Sequence, residues 1–173
     1  NAANCHVSNA ERVLLLTSAA YTFGASDSGA LVVDNFDLGG SYSQATLQAG
    51  GAVTFSGGVS TFANALTVTT TSTVTFNAGV TVTSGALSVT ADSGCSGTGL
   101  LSIPDTVTVQ TSAGALTLQS ADISIGTTSG VVQAAGGLVT LTTCGAVDMD
   151  VGGTGTGSGE YKVVAAELNR ITG

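Results

Sequence analysis

Between Val53 and Gly94 the apolar and polar positions repeat with a shift of 21 residues and no gap, so that VTFSGGVSTFANALTVTTTST lies over VTFNAGVTVTSGALSVTADSG. Val53 falls on Val74, Thr54 on Thr75, Phe55 on Phe76, Gly58 on Gly79, Val59 on Val80, Ala65 on Ala86, Leu66 on Leu87 and Val68 on Val89. Each copy holds three dyads of core-facing residues, Val53/Phe55, Val59/Thr61 and Leu66/Val68 in the first. Alternation over so few residues marks one face of a short strand. The Gly, Ala, Ser, Thr and Asn between the dyads mark corners. The pattern therefore predicts an all-β fold, a parallel β-helix (β-solenoid) with about three short strands and 21–22 residues per coil. Its expected hand is right-handed.

The same dyads continue on both sides. Val13/Leu15, Tyr21/Phe23 and Leu31/Val33 form a first coil, and Phe36/Leu38, Thr46/Leu47 and Val53/Phe55 follow it. Beyond the matched copies come Leu101/Ile103, Val107/Val109 and Leu116/Leu118, then Ile123/Ile125, Val131/Gln133 and Val139/Leu141. Val147/Met149/Val151 begins a last coil, which is incomplete after Val163 and Val164. Two stretches break the rhythm, residues 93–100 and 152–159, and both are too polar and too rich in glycine for strand. They are expected as loops thrown out from corners, the usual places for recognition on a solenoid. The whole chain, 1–173, reads as one solenoid unit, with an axial length of roughly 35–40 Å for coils rising ~4.8 Å each.

Composition narrows what such a stack can do. Aromatic residues make up only 5% and tryptophan is absent, so the core must be built from Val, Leu, Ile and Ala columns. Charged residues are 8%, and the formal net charge is −8, with Arg12, Lys162 and Arg170 the only basic side chains besides His6. Nucleic-acid partners are not expected, because phosphates are neutralised by Lys and Arg. Insertion into a membrane is not expected either, since no apolar run approaches the length of a spanning helix. A surface dressed in Thr, Ser, Gln and Asn instead suits permanent contact with copies of itself, end to end and laterally.

Three cysteines, Cys5, Cys95 and Cys144, are the disulfide candidates. Cys95 and Cys144 follow the third strand of two coils and should share a corner. Two rungs of separation put their Cα atoms roughly 10 Å apart, beyond the ~7 Å reach of a bridge. A bond between them requires the loop after Ser93 to bend along the axis. Cys5, near one end, could bond another subunit, and free thiols at all three positions are an equal alternative.

No catalytic, cofactor or metal set emerges. His6 stands beside Cys5, but neighbours on an extended chain point to opposite sides, and three Cys and one His lack a zinc spacing. Asp148 and Asp150 share a strand face, and Asp34 and Asp37 flank another strand, without the basic partners that a β-helix acting on acidic polysaccharide would need. They read as a solvated edge with scope for weak divalent-ion bridging. The T-x-T pairs Thr67/Thr69, Thr73/Thr75 and Thr81/Thr83 resemble those of ice-binding solenoids, but they fall on different strands of the coil, and ice binding would need one flat face. Threonine as an outer-face β-former is the simpler account. An enzyme is therefore not expected.

The ending is informative. Glu167, Leu168, Arg170 and Ile171 look like a diverged copy of the segment opening with Glu11 and Arg12, placed 156 residues earlier. These residues are the candidate end-to-end joint, and the chain, which opens on Asn1 rather than Met, is expected to be one unit of something longer. The pattern E-L-x-R-I-T, followed by segments such as YTFGASDSG (21–29), LQAGGAVTF (47–55) and GALSVTA (85–91), resembles the tandem β-helix repeats of filamentous-haemagglutinin-like surface proteins. That resemblance implies a very large, secreted, adhesive or fibre-forming protein. Because nothing in the sequence looks like a cap for the exposed end strands, the expected function is a building block of an extracellular or cell-surface filament. An adhesin with a surface glycan or protein ligand is the alternative.

Overall fold

The computed structural model describes residues 5–8, 20–145, 148–152 and 161–173. Three six-stranded parallel sheets run side by side along a β-solenoid of about six turns. Sheet A contains β1 (Cys5–Ser8), β3 (Leu31–Asp34), β6 (Val53–Ser56), β9 (Val74–Phe76), β12 (Leu100–Ile103) and β15 (Asp122–Ile125), in that order. Sheet B contains β2 (Ala20–Gly24), β5 (Gln44–Ala49), β8 (Ala65–Thr70), β11 (Leu87–Thr90), β14 (Leu116–Ser120) and β17 (Val139–Thr143). Sheet C contains β4 (Asp37–Leu38), β7 (Ser60–Phe62), β10 (Val80–Val82), β13 (Thr108–Thr111), β16 (Val131–Ala134) and β20 (Ile171–Thr172). Each complete rung passes from A through C to B.

The 21-residue pattern becomes the register. Val53 pairs with Val74 and Phe55 with Phe76, while Leu66 pairs with Leu87 and Val68 with Val89. Like side chains therefore stack along the axis inside a buried core. The Phe55 and Phe76 rings lie 4.9 Å apart and 6° from parallel, and Phe36 packs on Phe62 with centroids 5.9 Å apart. Close stacking also demands glycine where corners meet. A Cβ on Gly114 would stand 2.0 Å from the carbonyl oxygen of Gly85 in the rung below.

Several dyads shift by one residue. The inward pair of β7 is Ser60 and Phe62, both buried, whereas Val59 is 57% exposed. Val80 consequently pairs with Ser60, not Val59. Burying a phenylalanine against Phe36 outweighs burying a valine, and the Ser60 hydroxyl is satisfied by the Phe36 N–H at 3.1 Å. In β16 the core takes Val132 and Ala134, and Gln133 turns outward beside Gln110. In β5 it takes Ala45, Leu47 and Ala49, leaving Thr46 outside. Met149 and Val151 are exposed, on β18 (Met149–Val151), which pairs with β19 (Tyr161–Val163) outside the three main sheets.

The stack is also shorter than its residue count suggests. A turn takes 21 residues where Val53 meets Val74 but 27 where Val74 meets Leu101, because the loop after β11 lies in between. Six rungs rise about 29 Å. Residues 9–19, 146–147 and 153–160, and with them Glu11, Arg12, the Val13/Leu15 dyad, Val147 and most of the second glycine-rich stretch, lie outside the described residues.

Candidate functional site

A solenoid leaves each sheet with an unpaired strand at each end. In every sheet here the N–H of the inward-facing residue donates toward the next rung, as in Leu31 to Ala52, Leu66 to Ala86 and Leu116 to Leu138, each through the carbonyl of the residue named second. The last rung therefore ends in a row of donors, and its three sheets treat them differently.

In sheet A the donors meet carboxylates. The Ile123 N–H donates to Oδ1 of Asp122 at 2.9 Å and the Ile125 N–H to Oε1 of Glu167 at 2.8 Å. Glu167 is buried, and its other oxygen accepts the Val164 N–H at 2.9 Å. It belongs to the single helical turn α1 (Ala165–Leu168), which closes over this edge. In sheet C the Val132 N–H donates to the carbonyl of Arg170, and β20 pairs Ile171 with Val132. Arg170 is fixed by two hydrogen bonds of 3.2 Å from its guanidinium to the Thr127 carbonyl. The C-terminal end thus carries a partial covering that the sequence does not announce, since a four-residue turn leaves no helical periodicity to read.

Sheet B has no covering among the described residues. Parallel pairing alternates along a strand, so Val139, Leu141 and Thr143 of β17 present their N–H groups away from β14, and no described strand pairs with them. All five residues of β17 are only half-buried, and Leu138 just before it is 70% exposed. At the opposite end β2 is likewise an edge, with Tyr21 and Phe23 half-buried against the core.

Four of the joint residues, then, sit at this end: Glu167 and Arg170 bind the last rung, Ile171 begins the next, and Leu168 is 44% exposed. The 156-residue offset places Tyr161–Val163 on Cys5–Val7 in the sequence. Cys5–Ser8 heads sheet A, whereas Tyr161–Val163 lies against its last strand, with the Lys162 N–H donating to Asp122 at 3.2 Å. Met149 pairs with Tyr161 and Val151 with Val163, as Leu31 pairs with Cys5 and Val33 with Val7.

Cys95 and Cys144 form a disulfide with Cα atoms 5.0 Å apart, and Cys5 is free. The geometric objection to this bridge fails because the intervening rung turns its corner in one buried residue, Ala121, between β14 and β15. The loop of the rung below leans across it. Asp92 holds that loop: it is buried at φ 59° and accepts the Ser96 N–H at 2.8 Å, the Ser96 hydroxyl at 2.7 Å and the Gly97 N–H at 2.7 Å. Desolvation opposes the charge, but these hydrogen bonds outweigh it and hold the Asp92 carboxyl below the ordinary aspartate value. Residues Ser93–Thr98 stand exposed around it.

The remaining candidates stay apart. His6 Nε2 lies 3.7 Å from Asp34 Oδ2 on adjacent strands of sheet A, with both side chains about half exposed. Asp37 is on sheet C, and Asp150 lies opposite Lys162 in the pair of β18 and β19. Among the described residues no cluster of His, Cys, Asp and Glu is arranged to hold a metal ion, and no helix is long and apolar enough to cross a membrane.

Thr67, Thr75 and Thr81 do fall on three different sheets. Register nevertheless collects a separate outward column on sheet B, running Thr22, Thr46, Thr67, Ser88, Thr117, Thr140. A second column beside it runs Gly24, Gln48, Thr69, Thr90, Gln119, Thr142. Three inner rungs of each column keep the 21-residue spacing, and the paired registers add the other three, where corner lengths differ. Compared with models of protein families, with curated proteins and with solved structures, the chain matches none.

Proposed function

We propose that this chain is a structural unit whose coil stack continues into a following unit, building an extracellular or cell-surface filament. One observation carries the reading: after six rungs, Tyr161–Val163 lies against the last strand of sheet A, 156 residues after Cys5–Val7 opened that sheet, and Ile171–Thr172 follows in sheet C. The next strand in that order is the counterpart of Ala20–Gly24, and its place is the open edge of Val139–Thr143. Successive units follow each other covalently in a longer chain or as subunits. In both cases the counterpart of Leu31–Asp34 displaces Met149–Val151, which takes its place on Tyr161–Val163 in a lone unit. The filamentous-haemagglutinin-like resemblance points the same way. So does the disulfide, since such bonds persist in oxidising compartments outside the cytosol.

The test is electron microscopy of the native, undenatured material. Filaments with an axial repeat near ~29 Å, six rungs of ~4.8 Å, are expected. Discrete particles one unit long would overturn the reading. They would favour an adhesin that presents the exposed, disulfide-pinned loop Ser93–Thr98 to a glycan or protein.

A further inference from the structure

The three faces of the stack differ in charge. Sheet A displays His6, Asp34 and Asp122 and sheet C displays Asp37, whereas no described strand of sheet B contains an acidic or basic residue. Sheet B also has the longest strands, and its outer surface is the pair of hydroxyl and amide columns headed by Thr22 and Gly24. Asp27 marks its border, exposed at the corner that leads to sheet A.

We propose that the outer face of sheet B is a lateral docking surface for the same face of a second copy of this chain. The argument is first electrostatic. At a net charge of −8 two copies repel wherever carboxylates face each other, and sheet B is the side on which they approach without bringing charges together. It is then geometric. One column holds threonine in five of six rungs with Ser88 in the sixth, and the other mixes threonine and glutamine after Gly24, so small uncharged polar side chains recur at a fixed spacing, a condition that favours interdigitation of two sheets. The Gln44 amide already donates to the Thr67 hydroxyl at 2.8 Å, tying one rung to the next and holding that part of the face in one arrangement.

Area sets the strength. Six strands ~4.8 Å apart and about five residues wide cover about 500 Å² per copy, against ~800 Å² per partner in a standard stable interface. One unit therefore pairs weakly. Two units in line double the area and exceed that standard, so lateral pairing tightens with filament length. In its strength, though not in its choice of surface, the inference rests on the end-to-end reading.

The test compares the chain with T67D/T117D, which places two carboxylates on sheet B, and with T61D/T81D, which adds the same charge to the outer side of sheet C. Sedimentation of the free chain up to millimolar concentration and electron microscopy of filaments are read together. The expected result is concentration-dependent pairing of the free chain and paired or bundled filaments. T67D/T117D abolishes both while leaving the axial repeat unchanged, and T61D/T81D keeps both. Pairing of free chains without filaments upholds this inference while the end-to-end reading fails. Single filaments together with a free chain that stays monomeric overturn it, as does pairing that survives T67D/T117D or is lost equally in T61D/T81D. Faceting of growing ice crystals by a monomeric chain would likewise overturn it and assign the face to ordered water.

Discussion

The middle rungs and the C-terminal end of this solenoid face the same demand, a partner for every forward-pointing N–H, and answer it differently. Between Val53 and Thr90 the next rung supplies it, with Val53 donating to Thr73 and Leu66 to Ala86. At the end Asp122 and Glu167, the latter on a single helical turn, supply carboxylates to sheet A, a two-residue strand covers sheet C, and sheet B has no described partner. Repetition makes the middle insensitive to what lies beyond it. The end depends on individual side chains, and its remaining open edge is where a following unit would be felt.

The largest effect should come from the middle. Phe76→Ala removes a fully buried ring stacked on Phe55 and should cost about 3–5 kcal/mol in denaturant unfolding. The link between the two regions comes next. Cys95 and Cys144 are 49 residues apart in sequence, so replacing both by serine should cost about 2–4 kcal/mol and make residues from Leu100 onward more susceptible to proteolysis than rungs three and four. At the end itself, Glu167→Ala leaves the Ile125 and Val164 N–H groups without their acceptor and should cost about 2 kcal/mol, with faster amide exchange confined to Asp122–Ile125 and the terminal turn.

The smallest effect is a pH dependence. Asp92 is held below its unfolded value of ~3.9, so its contribution is complete above that value and is lost as pH falls through the lower folded value. Asp105, held down chiefly by the Thr128 N–H, adds to the same window. Thermal melts between pH 2 and 5 should therefore show a shallower loss of stability for Asp92→Asn than for the parent chain, without becoming flat.

How much of this was legible in the sequence differs between the same two regions. The 21-residue repeat carries the sheet A and sheet B registers of rungs three and four directly, because Val53, Phe55, Leu66 and Val68 recur with identical spacing. It misplaces the sheet C strand, where the repeated Val59 is exposed and Phe62 is buried. A shared valine pairs the two segments by identity, but burial follows the larger side chain. The end was harder. Asp92, Asp122 and Glu167 look like any other surface acids until the backbone brings a donor to each, and no spacing encodes such a meeting across as many as 42 residues. The disulfide was hidden for a related reason, since its reach depends on the one-residue corner at Ala121 in a rung that neither cysteine belongs to. The hydroxyl columns of sheet B were only half visible: Thr46, Thr67 and Ser88 keep the 21-residue spacing, but unequal corners move Thr22, Thr117 and Thr140 out of it while stacking them in space.

Hydrogen exchange at the open edge tests the central claim most directly. In dispersed chains the amides of Val139, Leu141 and Thr143 should exchange rapidly, while those of Leu87 and Val89, which have a following strand, stay protected. On assembly the three edge amides should become as slow as Leu87 and Val89, because the counterpart of Ala20–Gly24 now accepts their hydrogen bonds. Edge amides that remain fast in assembled material would contradict the account and place the contact between units elsewhere.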